Sequence, residues 1–516
     1  MYNAASRFVL KCITEVDTFL HLGFVVQILL ERSGLKNIPV VLLLLVLVSG
    51  LAPAQASEVK MVGDSRVHAT SFTQRNFTGW NANATQTEDA FTIWQRFRLR
   101  TDFIAHENLK FRFSMRVNNT ARGNGTYTVD NPAVAIQVWQ AYLQFKWPGT
   151  DAEFIVGYQD WALPISSDAI FNTNPVFGGT RSAAAVFNVP LAQGVKLVGG
   201  FSRFIDSNRD FDPTTTQVSD EIDGYFLTLP ITLEGFSATP WAMIGVVGRD
   251  ADFLTGIGLA NSSVGQTLAS NLLSAGTVVA PLGFRNNQNL YWWAGAALSL
   301  TALDPFKFYA DVMYGQGNAS DMGKNLRGGL FFDVAAEYTG FDFMTPQVAF
   351  WYSTGEDSST TNGSERMPSV VGYWGPSTSF LFDSSQAYNR SVMGVNNVGN
   401  WGFSASLNKV SFIQDLTHRL TFTFVRGTNS PRALRTANRL TGMGVYVQMG
   451  RDLTTEEYLV AVNFDHQYNI YENLALIVET GWAHGEFQQS VWGRRLVQAN
   501  NNGDPIKVAV GLRYQF

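Results

Sequence analysis

The sequence predicts an all-β fold, a transmembrane antiparallel β-barrel of eighteen strands, with sixteen as the alternative. Three observations carry that expectation. Apolar side chains recur at every second position in segments of about ten residues, the period of a strand with two unlike faces. Short turns and long polar loops alternate strictly along the chain. The composition, 13% aromatic with 46 Gly and only 15% charged residues, rules out disorder, collagen and coiled coil. A mean hydropathy of -0.01 excludes a bundle of membrane-spanning helices, each of which needs roughly 20 consecutive apolar residues.

One segment approaches that length. Residues 38–56, IPVVLLLLVLVSGLAPAQA, follow Arg32 and Lys36 and end in Ala54-Gln55-Ala56. This is the pattern of a secretory signal peptide cleaved after Ala56, because a short apolar stretch broken by Pro53 and closed by small-x-small suits a signal peptidase. An uncleaved inner-membrane anchor is the alternative. Residues ahead of the stretch resemble no normal signal start, so the true translation start is expected downstream of Met1. Residues 1–56 are therefore read as leader and 57–516 as a single barrel domain.

From Ser57 onward 33 Lys and Arg face 39 Asp and Glu, which gives no reason to expect a nucleic-acid partner. The one cysteine, Cys12, lies in the leader, so the exported chain has no disulfide, thiol nucleophile or thiolate metal site.

The strands follow in order. The first, from Val59, carries Lys60, Asp64, Arg66 and His68 at one parity. The second carries Arg96, Arg98 and Arg100. In the third, Leu109, Phe111, Phe113, Met115 and Val117 alternate with Lys110, Arg112, Ser114, Arg116 and Asn118. The weakest is 183–189, AAAVFNV. Further along, Phe306, Phe308, Ala310, Val312 and Tyr314 alternate with Lys307, Tyr309, Asp311 and Met313. In the last, Ile506, Val508, Val510, Leu512, Tyr514 and Phe516 alternate with Lys507, Ala509, Gly511, Arg513 and Gln515.

Short turns fall at 106–108, 147–150, 190–193, 231–235, 303–305, 340–343, 411–415 and 468–473. Long loops fall at about 73–89, 118–132, 159–182, 204–219, 250–288, 316–327, 355–399, 428–455 and 485–505. Tight turns at one end and large loops at the other are the asymmetry of a bacterial outer-membrane barrel. Its backbone N–H and C=O groups find partners within the closed sheet, as hydrocarbon requires. Aromatic residues near segment ends, Phe91, Trp147, Trp161, Tyr225, Trp292, Tyr338, Trp351, Tyr458, Tyr468, Trp482 and Tyr514, are expected as interface anchors, with core packing the alternative.

With the apolar set facing lipid, the first three strands aim Arg66, Arg96, Arg98, Arg100, Arg112 and Arg116 into the lumen. Facing lipid near the midplane, each would cost about 2–4 kcal/mol. The ladder predicts a positive inner wall; solvation and salt bridging without selectivity are the plainer reading.

The third long loop, YQDWALPISSDAIFNTNPVFGGTR, ends in a run that resembles the Pro-Glu-Phe-Gly-Gly tip of the third loop of trimeric Gram-negative general porins. Segments such as EVKMVGD, WQRFRLR, NPVFGGTR and ALDPFKFYADVMYG resemble the homotrimeric porins of sulfate-reducing bacteria, over nearly the whole mature chain. The resemblance implies an inward-folded third loop that narrows the barrel. It places Asp160, Asp168, Pro175, Phe177, Gly178 and Gly179 on the loop side of a constriction, and the six arginines on the wall. Val176 stands where the family usually has Glu, which implies a more anion-selective eyelet. The resemblance further implies a homotrimer in outer-membrane lipid and lipopolysaccharide, and passive diffusion of small hydrophilic solutes and ions, with sulfate or small organic acids as possible cargo.

Weaker signals remain. Asp206, Asn208, Asp210 and Asp212 alternate as D-x-N-x-D-x-D and form a candidate calcium site, although Phe211 and Gln217 break the EF-hand pattern; no other cofactor is expected. The Asn-x-Ser/Thr triplets are read as loop sequence without glycosylation. A barrel enzyme lacks support, since neither G-x-S-x-G nor H-E-x-x-H occurs. His418, His466 and His484 share the parity of the apolar set near segment ends. A substrate-specific channel is the other rival, with Trp94, Tyr291, Trp293 and Tyr309 as candidates for an aromatic slide or as lumen packing.

Overall fold

Period-two patterning becomes a barrel when the first and last strands pair. The computed structural model describes residues 58–74, 77, 90–120, 136–178, 180–206, 219–251, 271–272, 286–317, 326–359, 362–370, 374–376, 380–382, 399–441 and 449–516. The expected leader lies outside the described residues.

The sheet opens with β1 (Glu58–Thr73), β2 (Ala90–His106), β3 (Leu109–Thr120), β4 (Ile136–Lys146), β5 (Glu153–Trp161) and β6 (Thr180–Ala192). It continues through β7 (Val195–Ile205), β8 (Ile222–Thr228), β9 (Ile231–Leu233), β10 (Phe236–Gly248), β11 (Gln288–Leu300), β12 (Phe306–Gly317) and β13 (Arg327–Tyr338). It ends with β14 (Thr345–Ser353), β15 (Asn400–Ile413), β16 (Leu416–Gly427), β17 (Tyr458–Tyr471), β18 (Leu474–Glu486) and β19 (Ile506–Gln515). Short helices lie in the loops: α1 (Asp168–Phe171), α2 (Pro431–Thr441), α3 (Gln489–Trp492) and α4 (Arg494–Asn500).

Every pairing between these strands is antiparallel, and β19 returns to β1 through ten residue pairs from Asp64↔Gln515 to Thr73↔Ile506. The terminal residue extends the seam, with Gly63 N donating to Phe516 O at 2.8 Å and Phe516 N to Gly63 O at 3.1 Å. β8 and β9 both pair with β7 and β10, so they are two parts of one stave. Pro230 interrupts it because proline has no N–H for the ladder. The barrel therefore has eighteen staves, as the alternation of turns and loops predicts.

Turns at one end are tight. Two residues join β2 to β3, β6 to β7, β15 to β16 and β17 to β18. Gly194 and Gly235 take φ of +75° and +68° in two of the tight turns, a conformation that costs glycine nothing. The expected weak strand at 183–189 is the middle of the thirteen-residue β6, extended on both sides by register pairing with β5 and β7.

The two faces separate as the alternation requires. On β19, Ile506, Val508, Val510, Leu512 and Tyr514 are all exposed, while Lys507 and Ala509 are buried. On β12, Phe306, Phe308, Val312 and Tyr314 are exposed, and Asp311 and Met313 are buried. Exposed apolar side chains recur on strands around the barrel, which is an outer surface suited to hydrocarbon.

At four aromatic positions the packing reading holds. Trp161 and Trp351 are not interface anchors: they share inner-face parity with Gln159 and Gln347 and are buried. Trp161 packs 4.1 Å from Phe226 and 4.2 Å from Phe177, centroid to centroid. Tyr291 and Trp293 do not form a slide. Both are buried against loop segments, with Tyr291 Oη donating to Leu272 O and Trp293 Nε1 to Pro368 O. Trp374, buried against Phe331, Trp351 and Phe382, continues this inner aromatic core and donates Nε1 to Asp333 Oδ2 at 2.7 Å. Part of the barrel interior is thus packed rather than open.

Candidate functional site

Antiparallel register sets the arginines side by side on the inner face. Arg66 of β1 stands opposite Arg96 of β2 and, across the seam, opposite Arg513 of β19. One step along, Asp64 stands opposite Arg98, and Arg98 opposite Arg116 of β3. The predicted wall is therefore one contiguous sector, and it extends to Arg513.

Carboxylates hold part of that charge. Asp64 accepts from Arg96 Nη2 at 2.7 Å and also from Arg98 Nε. Asp102 accepts two bonds from Arg112, at 2.5 and 2.7 Å. Arg112 also lies over the Tyr142 ring at 5.5 Å. Arg100 is exposed, and its side chain makes no hydrogen bond or ion pair among the described residues. Asp102, which the sequence reading passed over, shares the parity of Arg96, Arg98 and Arg100 and was legible on that ground.

Beside this sector the register of β3 and β4 slips. Ser114 pairs with Gln140 and Met115 with Val138, so Trp139 is an extra residue in a β-bulge. Three guanidinium groups surround its ring, those of Arg98 at 4.5 Å, Arg181 at 5.2 Å and Arg116 at 5.9 Å. Such cation–π contacts are worth about 0.5–2 kcal/mol each. Trp139 was not expected here, because a bulge breaks the two-residue rule that located the others, and Arg181, expected within the long loop 159–182, belongs to β6.

The third-loop residues divide. Asp160 belongs to strand β5 rather than to the loop; it accepts from Gln140 Nε2 at 3.0 Å and pairs with Arg181 at 3.4 Å. Asp168 begins α1, is exposed, and makes no ion pair among the described residues. Pro175, Phe177 and Gly178 are buried, so they anchor the segment and do not face open lumen. Val176 is also fully buried, and its carbonyl accepts from Val370 N at 2.9 Å. A Glu there would bury a charge within an apolar cluster. Ser166 donates its backbone N and Oγ to Asp311 on the inner face of β12, which is not a neighbour of β5 or β6 in the wall. Gly179 lies outside the described residues.

Of the candidate calcium ligands, Asp206 accepts from Arg203 Nη1 at 2.8 Å. Asn208, Asp210 and Asp212 lie outside the described residues. Among the described residues no group of three or more His, Cys, Asp or Glu is placed to hold a metal ion. His418 and His466 meet Nδ1 to Nδ1 at 2.6 Å across β16 and β17, and His484 pairs with Asp504 at 2.8 Å.

A second feature lies further round the wall. A cavity of about 500 Å³ is bounded by Ala169 of α1 on one side. On the other it is bounded by residues of β13 to β19, among them Glu337, Gln347, Lys409, Arg419, Asp465 and Arg513, with His418 and His466 at its edge. None of the six predicted wall arginines lines it, but Arg513 joins it to them through Arg66.

No protein-family model and no curated protein matches the chain. Among solved structures it is similar to OccK5 (OpdH) of Pseudomonas aeruginosa, at 10% identity and a TM-score of 0.47 over 89% of this chain and 98% of that one. It is similar to OprD of Pseudomonas aeruginosa at 10% identity and a TM-score of 0.45, covering 90% and 97%. A third is the anion-selective porin from Comamonas acidovorans, at 9% identity and a TM-score of 0.39, covering 89% and 100%. Similarity at this level bears on neither solute nor residue roles.

Proposed function

We propose that the protein is an outer-membrane porin, a water-filled barrel through which small hydrophilic solutes and ions diffuse passively, with a preference for anions. The observation that carries this reading is the pairing of an apolar outer face with a contiguous basic sector inside a closed sheet. Asp64, Asp102 and Asp160 are outnumbered by the arginines of this sector, Arg66, Arg96, Arg98, Arg100, Arg112, Arg116, Arg181 and Arg513. A water-filled passage with fixed positive charge concentrates anions. The segment 162–178 supplies the narrowing, supported by the bonds of Ser166 to Asp311 and by Ala169 bounding the cavity. The chain acts without enzymatic chemistry, as a homotrimer among lipid and lipopolysaccharide, after export and cleavage past Ala56.

Single-channel recording in asymmetric salt tests it. Replacing Arg96, Arg98 and Arg100 by Ser is expected to move the reversal potential toward cations. An unmoved potential would remove these arginines from the selectivity filter, and no conductance from the wild type would remove the channel.

A second reading, a channel specific for small organic acids or sulfate, draws support from the cavity that Lys409, Arg419 and Arg513 line. Current that saturates with solute concentration favours it over the general pore.

A further inference from the structure

We infer that the cavity between α1 and the inner faces of β13 to β19 is a binding subsite for a small oxyanion, held by Lys409 and Arg513. The inference deepens the channel reading and rests on it for the route by which the anion arrives.

It begins with the backbone. Leu407 of β15 pairs with Leu420 of β16, and Val410 pairs with His418, so Asn408 and Lys409 together oppose the single residue Arg419. Lys409 takes φ +54°, the left-handed region. For a residue with a Cβ this conformation costs roughly 1–2 kcal/mol. Gly or Asn would relieve the strain, so a lysine here calls for a reason. The bulge supplies one: it lets Lys409 line the cavity from a strand whose regular alternation would turn residue 409 to the outer face.

The charges around it leave that ammonium uncommitted. Asp465 is engaged by Arg419, through Nε at 3.0 Å and Nη2 at 2.8 Å. Glu337 accepts from Tyr309 Oη at 2.9 Å and pairs with Lys307 at 3.7 Å. The Lys409 side chain has no ion pair or hydrogen bond among the described residues, and the bond of Arg513 runs to the amide oxygen of Gln467 at 3.3 Å. Besides His418 and His466, whose rings meet each other, the cavity thus holds two cations without carboxylate partners and two carboxylates that already have theirs. An oxyanion completes this arrangement; a cation would have to displace Arg419 or Lys307.

The donors fit that chemistry. A guanidinium offers a planar fork and an ammonium a point charge, and both bind carboxylate or sulfate oxygens by charge-assisted bonds. A volume of about 500 Å³ accommodates an anion of a few heavy atoms with part of its water. Arg513 also faces Arg66 across the seam, so an anion attracted to the arginine sector finds the subsite adjoining it.

Isothermal titration of the detergent-solubilised barrel with potassium succinate and with potassium sulfate tests the inference, using potassium chloride as the background. The wild type is expected to bind at least one of the two, and Lys409→Asn or Arg513→Gln to weaken binding about tenfold, the loss of one charge-assisted bond. Asn accepts a left-handed backbone, so Lys409→Asn retains the bulge if Arg513→Gln fails to fold. Binding of succinate alone identifies a carboxylate subsite, and binding of sulfate alone an inorganic one. No heat with either anion, or undiminished binding in the folded variants, would overturn the subsite. Retained binding without ion current in bilayers would overturn the channel and leave the subsite standing.

Discussion

At the scale of single residues, the inner wall is governed by which cations have carboxylate partners. Asp64 holds two arginines from one strand, so replacing it by Asn releases Arg96 and Arg98 and removes a negative charge together. Each charge-assisted bond lost is worth about 1.5–3 kcal/mol. Asp64→Asn is expected to shift the reversal potential further toward anions, and a shift toward cations would mean that the position of the arginines matters more than their number. The wall arginines were legible in the sequence because charge at i, i+2 and i+4 can face only one side of a strand. Trp139 and Lys409 were not legible. Each occupies a bulge, and one inserted residue exchanges the faces of a strand without any mark in composition.

At the scale of elements, the turns and strands followed from period and spacing, while the loops did not. The run NPVFGG was identifiable by resemblance, yet the burial of Phe177 against Trp161 and Phe204 depends on long-range packing that no local pattern encodes. Another loop contact carries a pH dependence. Glu457, just ahead of β17, accepts from Thr454 N, Gln488 N and Trp492 Nε1, and so clamps the start of α3. Burial raises its pKa above the ordinary glutamate value, outweighing those bonds. The folded state then holds a proton that the unfolded chain has lost, so this stabilising contribution is present below about pH 4.5 and declines as pH rises through the raised value. The Tm of the wild type minus that of Glu457→Gln is therefore expected to be larger near pH 4.5 than at neutral pH; a difference that does not change would exclude a raised Glu457.

At the scale of the whole molecule, the outer surface decides where the protein resides. Val510→Arg places a charge on the exposed face of β19 and is expected to cost about 2–4 kcal/mol in a bilayer, read from urea unfolding of the inserted barrel. Equal stability would mean that this face meets water. The seam between β1 and β19 has a different consequence. A wall whose first and last staves must meet has no useful shorter version. If β19 is missing, β1 and β18 each expose a row of bare amides and carbonyls, at several kcal/mol apiece in hydrocarbon. Assembly is therefore all or nothing, and a polypeptide that has not yet delivered β19 is a sheet with two raw margins that must be shielded by other molecules until the ring is complete.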